Sequence, residues 1–380
     1  MPGLADPPNP PNPPNSLARI ALGRGVVAFG TVWLGGDTEP FRGFVVVDAA
    51  GVLDYAGPFG PWPVPGGLTV IGGPDAWIGP GVVDAHVHLG FADIDDCLRR
   101  GLVGVRDLGA PLQEARRWRT GHRAPAGARP AVAVSGPILT APGGYPSRTC
   151  GADGYARFVS PGDARHVVQR LAAEGVDLIK VALEPAEAGG PVLSRPVLAA
   201  VVAAAHDTGL PVVAHALGAD MVRRAVEAGV DELAHTPTEP LPEQLVDLIA
   251  ARAVSVVSTL QTFFTAGAGR AAAANAAALH RAGVVLRYGT DLGNTGTLPG
   301  VDPRELDRLA DTGLGRLGAL RAATAAAATA PGMRARTGRL DRGQPAALVV
   351  LSGDPIAEPG VWRAPTAVIA DGRLLQIPSG

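Results

Sequence analysis

VDLIKVALEP, residues 176–185, is an apolar β-like run that carries one ammonium group, Lys180. Lysine and arginine together number 33, and only one of them is lysine. A guanidinium stays protonated at any workable pH, whereas a buried lysine amine can lose its proton and act as a nucleophile or be modified. Placing lysine here points to chemistry that arginine does not perform; the competing account is chance in an arginine-rich composition. On either side lie amphipathic stretches, SPGDARHVVQRLAAEG (160–175) and SRPVLAAVVAAAHDTG (194–209). Each opens near Ser or Asp and closes at Gly, as capped helices do. The run is thus a strand between two helices.

That rhythm repeats. GVVDAHVHL, GLVGVRDLG, PAVAVSG, VDLIKVAL, LPVVAHA, VDELAHT, AVSVVSTL and GVVLRYGTD follow in order between residues 79 and 331, with helical stretches such as ADMVRRAVEAG between them. Eight strand–helix alternations over about 250 residues predict an α/β fold, a (β/α)8 TIM barrel spanning 79–331. A doubly wound sheet ranks lower because no G-x-G-x-x-G follows a strand. Residues 16–78 and 332–380 read instead as short strands broken by Gly and Pro, with ADGR as a hairpin turn. These two flanks are expected to form one small β-sandwich domain from both chain termini. Residues 1–15, MPGLADPPNPPNPPN, read as a disordered Pro/Asn-rich tail outside the fold.

Composition narrows the function. With a net charge of −2 and 18% charged residues, neither nucleic acid nor an anionic membrane is an expected partner. No apolar run of about 18 residues predicts a membrane helix. Cys97 and Cys150 are too few for a disulfide framework. The N-terminus lacks the basic and apolar regions of a signal peptide. The expectation is a cytoplasmic protein with a small-molecule substrate, homo-oligomerisation being left open.

In such a barrel, functional residues project from the C-terminal ends of the strands. Those ends carry His86 and His88 on strand 1, Lys180 on strand 4, His215 on strand 5, His235 on strand 6 and Asp291 on strand 8. His86 and His88, two apart, fall on one face of their strand and can hold a single cation. Imidazole and carboxylate are ordinary ligands of Zn2+ and similar ions. H-x-H alone is a weak motif, but five metal-suited residues in barrel order with the one lysine are hard to attribute to chance. His166, His206 and His280 lie in helices and His122 in a loop, so these four are expected to be exposed or structural. Cys150 could border the site, but no adjacent histidine marks it as a nucleophile. Arg106 and Asp107 are expected to form a structural ion pair. Tyr145, Arg148, Glu184 and Asn294 lie on loops where substrate would bind, as does Thr297, and a solvated loop tip explains them equally well.

PGVVDAHVHL, VRDLG, VDLIKV, VVAHA, VDELAHT, YGTDLG and the closing GRLDRGQPAALVVLSGDP together resemble the metal-dependent amidohydrolases. The resemblance is closest to the branch of imidazolonepropionase-like enzymes and metal-dependent Xaa-Pro dipeptidases. It implies an amidohydrolase that cleaves a C–N amide, lactam or cyclic amide bond of a small molecule through a metal-bridging hydroxide. It implies two divalent ions, zinc first and Mn2+, Fe2+ or Co2+ as alternatives. His86 and His88 would bind the inner ion with Asp291, and His215 and His235 the outer one. Lys180 would be N-carboxylated and bridge the two, and Asp291 would move the proton. A lactonase, esterase or phosphotriesterase is the nearest alternative at the same binuclear site. A one-metal deaminase would not need Lys180, and a non-catalytic scaffold predicts a broken ligand position, of which there is none. Where the dipeptidase-like members tend to carry Gly-Gly-His, this chain has Gly143-Gly144-Tyr145, so a peptidase-type substrate is not implied.

Overall fold

The computed structural model describes residues 25–60, 67–121, 128–147, 154–184, 190–335 and 337–376. The expected tail at 1–15, His122, Arg148 and Cys150 lie outside them. Before the barrel the chain forms β1 (Val26–Val32), β2 (Phe41–Val47), β3 (Leu53–Pro58) and β4 (Thr69–Pro80). After it come β15 (Leu348–Leu351), β16 (Ala367–Ala370) and β17 (Arg373–Gln376). All seven join in one sheet, ordered β17-β16-β15-β4-β1-β2-β3. The two flanks meet where β15 runs antiparallel to β4, Val350 opposite Ile78. Alternation supplies its core: Ala28, Val32, Val45, Ile78, Leu348 and Val350 pack together on one face. The β16–β17 hairpin turns at Asp371 and Gly372, at φ +48° and +71°, the two positive values such a tight turn demands.

Between the flanks lie β5 (Val82–Val87), β6 (Leu102–Asp107), β7 (Ala131–Val134), β8 (Ile138–Thr140), β9 (Ala156–Phe158), β10 (Ile179–Leu183), β11 (Val212–Ala216), β12 (Glu232–Leu233), β13 (Ser255–Val257) and β14 (Leu286–Arg287). Their pairings are parallel throughout. With the helices between them they make a TIM-barrel-like α/β fold. Strands such as β5, β6, β10 and β11 are buried at every residue, which is why they read as nearly continuous apolar runs. The helix Arg195–Asp207 turns Val197, Leu198, Val201, Val202, Ala204 and Ala205 inward, the three-and-four spacing of a helix with one covered face. Each such valine or leucine contributes roughly 1.5–3 kcal/mol by leaving water.

All eight expected strands occur in the expected order, and one differs in form. The third comes in two pieces, β7 paired with β6 and β8 paired with β10. Gly136, at φ +67°, and Pro137, which has no N–H to give a ladder, break it between them. β9 is an addition that PAVAVSG did not foretell; it runs beside β8. The last strand and the first also connect: Ala85 N–H donates to Tyr288 O (3.1 Å), Asp291 N–H to His86 O (2.9 Å) and His88 N–H to Leu292 O (2.7 Å).

The expected Arg106–Asp107 ion pair does not form. Adjacent strand residues point to opposite faces, so Arg106 turns to Glu232 and Asp107 to the backbone. The Asp107 carboxylate accepts from Leu89 N–H (2.8 Å) and Gly109 N–H (3.1 Å). Arg106 pairs with Glu232, and Arg287 reaches the other oxygen of Glu232 at 3.1 Å. All three are buried. No helix among the described residues is long and apolar enough to cross a membrane.

Candidate metal centre

The centre is built on the C-terminal half of β5. Asp84 is fully buried in β5, and its carboxylate is stapled to the end of the eighth strand. Oδ1 accepts from His86 N–H (3.0 Å) and Thr290 N–H (3.1 Å), and Oδ2 from the Thr290 hydroxyl (2.6 Å). This fixes two short backbone segments against each other, one bearing His86 and the other Asp291. Asp291 itself adopts φ +58°, the left-handed region, and its N–H is held by His86 O. Such a conformation costs on the order of 1–3 kcal/mol and persists where its surroundings over-determine it.

Three donors converge as a result. Asp291 Oδ1 lies 3.2 Å from His86 Nε2 and 3.4 Å from His88 Nε2, and the two nitrogens are 3.4 Å apart. One ligand atom from each of these residues falls within 4.8 Å of the others. Asp291 Oδ1 is buried yet meets no donor in hydrogen-bond geometry, a costly state for an anionic oxygen unless a cation completes it. His86 Nδ1 lies 2.9 Å from Ala234 O, which can only accept, so Nδ1 carries the proton and Nε2 presents a lone pair. Burial also holds His86 and His235 well below the ordinary histidine range, so both rings are neutral. Burial opposes charge on His88 too, but the neighbouring Asp291 carboxylate outweighs it and raises that ring. For Asp291, burial pushes upward, yet His86, His88 and His235 hold the carboxyl well below its usual range. The donor set therefore fits a divalent cation.

The other expected ligands stand beside this trio. His235 Nδ1 is 3.9 Å from Asp291 Oδ2 and 3.0 Å from Thr259 Oγ1, and its ring lies 4.5 Å from His86. His215 stacks edge-on to His235 at 4.9 Å, but its Nε2 is engaged by Glu184 Oε2 at 2.7 Å. Lys180 is buried and makes no hydrogen bond or ion pair among the described residues. Burial lowers its amine to about 7 against the pull of Asp291. It is near enough to depress His86, His88 and His235 in turn.

Of the residues expected to touch substrate, Tyr145 sets its ring 4.9 Å from His215. Glu184 binds His215 instead of standing free at a loop tip. Asn294 is part of the turn after Asp291, its backbone and side-chain amides both donating to Asp291 O at 3.2 and 3.1 Å. His166, His206 and His280 do lie in helices, and His206 pairs with Asp231 at 3.0 Å. Sequence reasoning passed over Asp84, Thr259 and Glu305. Asp84 had a signal, a carboxylate inside the strand that also carries His86; Thr259 and Glu305 had none.

The model of the amidohydrolase family matches residues 77–375. An uncharacterized protein of Mycobacterium tuberculosis (Rv2915c) is 28% identical over 355 residues, which cover 82% of this chain and 88% of that protein. A Xaa-Pro dipeptidase structure with bound methionine has a TM-score of 0.79 at 21% identity, covering 93% of this chain and 100% of that one. A putative prolidase from Bifidobacterium longum has a TM-score of 0.78 at 25% identity, covering 94% and 95%.

Proposed function

The chain belongs to the amidohydrolase family, and on that footing we propose that it is a metal-dependent hydrolase of an amide, lactam or cyclic amide bond in a small molecule. The observation that carries the metal dependence is Asp291 Oδ1, buried without a donor and facing two imidazole nitrogens at 3.2 and 3.4 Å. In this reading His86, His88 and Asp291 hold one ion and His215 and His235 a second, zinc being the first choice. Lys180, once N-carboxylated, would add carbamate oxygens to that donor set. An amine lowered to about 7 supports that step, since the neutral form attacks CO2 and releases a proton to leave the carbamate. Divalent cations held there would supply an acidified water and a polarised carbonyl.

The chain's own groups do the rest. His86 and His235, neutral and fixed through Ala234 O and Thr259 Oγ1, offer lone pairs without first losing a proton. Asp291, kept ionised, accepts the proton released by water and returns it to the leaving nitrogen; it acts by position, not by basicity. The hydrolase names of the dipeptidase and the putative prolidase agree with C–N cleavage. Residues 79–331 would close as an eight-stranded barrel, with 16–78 and 332–380 packed as a β-sandwich, in a cytoplasmic protein that binds neither nucleic acid nor membrane.

Chelation followed by reconstitution tests the reading. Protein stripped of metal should not hydrolyse a panel of small amides and lactams, and zinc or manganese should restore turnover, fastest on the amides. Turnover unaffected by chelation, or none from metal-loaded protein, would sink it.

A further inference from the structure

Aromatic residues make up only 4% of the chain, yet four of them stand around the histidine cluster. Tyr145 lies tilted against His215, ring centres 4.9 Å apart. Phe263 stands edge-on to His235 at 5.6 Å. Phe91, three residues beyond His88, stacks on Tyr155 at 5.5 Å. Gly293 is wedged between that pair and the cluster: a Cβ there would sit 3.1 Å from His88 Cβ and 3.3 Å from Phe91 Cβ. Phe91 remains 57% exposed, so its ring is open to solvent near His88. Among the described residues, no arginine shares a hydrogen bond or ion pair with His86, His88, His215, His235 or Asp291.

Resting on the hydrolase reading above, we propose that the substrate carries a flat aromatic group next to its scissile carbonyl. Tyr145, Phe263 and the Phe91–Tyr155 pair would be the surfaces that receive it. Rings prefer offset-stacked or edge-to-face partners, and each such contact is worth roughly a two- to tenfold gain beyond plain area burial. A saturated ring of the same carbon count gains the area but not the ring contact. The aromatic group is thus selected over an equally bulky aliphatic one. The reaction remains addition of water across the carbonyl, rupture of the C–N bond and delivery of a proton to nitrogen, giving a carboxylate and an amine.

The test uses metal-reconstituted full-length protein and two matched pairs. N-methyl phenylacetamide is set against N-methyl cyclohexylacetamide, and N-benzyl acetamide against N-(cyclohexylmethyl)acetamide. In at least one pair the aryl member should have a kcat/KM about tenfold higher. Phe91→Leu and Phe263→Leu should each pull that ratio down toward one, with metal stoichiometry unchanged. Ratios within twofold of one in both pairs, or ratios that survive both substitutions, overturn the inference while leaving the hydrolase reading intact. If no amide is turned over, the hydrolase reading fails instead, and calorimetry still decides this one. Phenylacetate or benzylamine should then bind about tenfold tighter than cyclohexylacetate or cyclohexylmethylamine, and equal Kd values overturn it. Phe91 is exposed, so its variant carries the test even where Phe263→Leu fails to fold.

Discussion

Thr259 Oγ1 lies 3.0 Å from His235 Nδ1, and Thr259 is one of only four non-glycine residues at positive φ among those described, at +45°. A β-branched residue is held there because its neighbours are tied down. Its own N–H donates to Gly289 O at 3.1 Å, and Glu305 accepts from Leu260 N–H (3.0 Å) and Gln261 N–H (2.6 Å). The hydroxyl fixes the direction of the His235 ring. Thr259→Val keeps the shape and removes the hydroxyl, so metal affinity should fall about 10–100-fold, whereas Thr259→Ser should stay near wild type. A competitive chelator titration reads this, and unchanged affinity in the valine variant refutes an orienting role.

Glu305 adds a pH dependence. Burial pushes its carboxyl from 4.5 up to about 8, against the hydrogen bonds that favour the anion. Between those values the folded state holds a proton that the unfolded chain has released. This contribution to stability is therefore complete below about pH 4.5 and lost as pH rises through about 8. Glu305→Gln removes the titration. Urea unfolding at pH 5 and pH 8.5 should show a smaller drop in the variant than in wild type, whatever the offset between them. Equal drops would mean that the carboxyl is not raised.

Strand order and the candidate ligands were legible because parallel strands buried on both faces leave continuous apolar runs, and polar residues at their ends stand out against them. His86, His88 and Asp291 meet as their places at strand ends implied. The split of the third strand was hidden in Gly136-Pro137, which reads equally well as the end of a strand. Arg106 was assigned the wrong partner because sequence proximity favoured Asp107, while the buried acceptor, Glu232, is 126 residues away. Glu184 stood out as a polar residue at a strand end, but its bond to His215, like that of Thr259 to His235, was beyond reach for the same reason: each contact joins residues from different strands.

Glu232 lies between Arg106 and Arg287 with no exposure of its own side chain. Ser255 also donates to it, at 2.9 Å. Removing one partner of a buried ion pair leaves uncompensated charge and typically costs about 3–5 kcal/mol. Glu232→Gln would leave two guanidinium groups facing each other without an anion, so the unfolding free energy should fall by about that amount. Urea titration measures it. A loss below about 1 kcal/mol, the level of an exposed pair, would mean water reaches the cluster.

Lys180 is buried, without a hydrogen-bond or ion-pair partner among the described residues, and lowered by burial to about 7. Near neutral pH much of its amine is uncharged, which a guanidinium in the same place would never be. Lys180→Arg should keep the positive charge yet lose most of the metal at the His215–His235 side. Lys180→Ala should lose it as well, and a short-chain carboxylic acid should restore part of both metal and turnover by supplying two oxygens where the carbamate would stand. Metal analysis after dialysis reports the first effect directly. Depleting CO2 during reconstitution should lower occupancy in wild type, and more so at pH 6 than at pH 8, because protonation removes the nucleophilic amine. Full metal content in the arginine variant would exclude a carboxylated lysine.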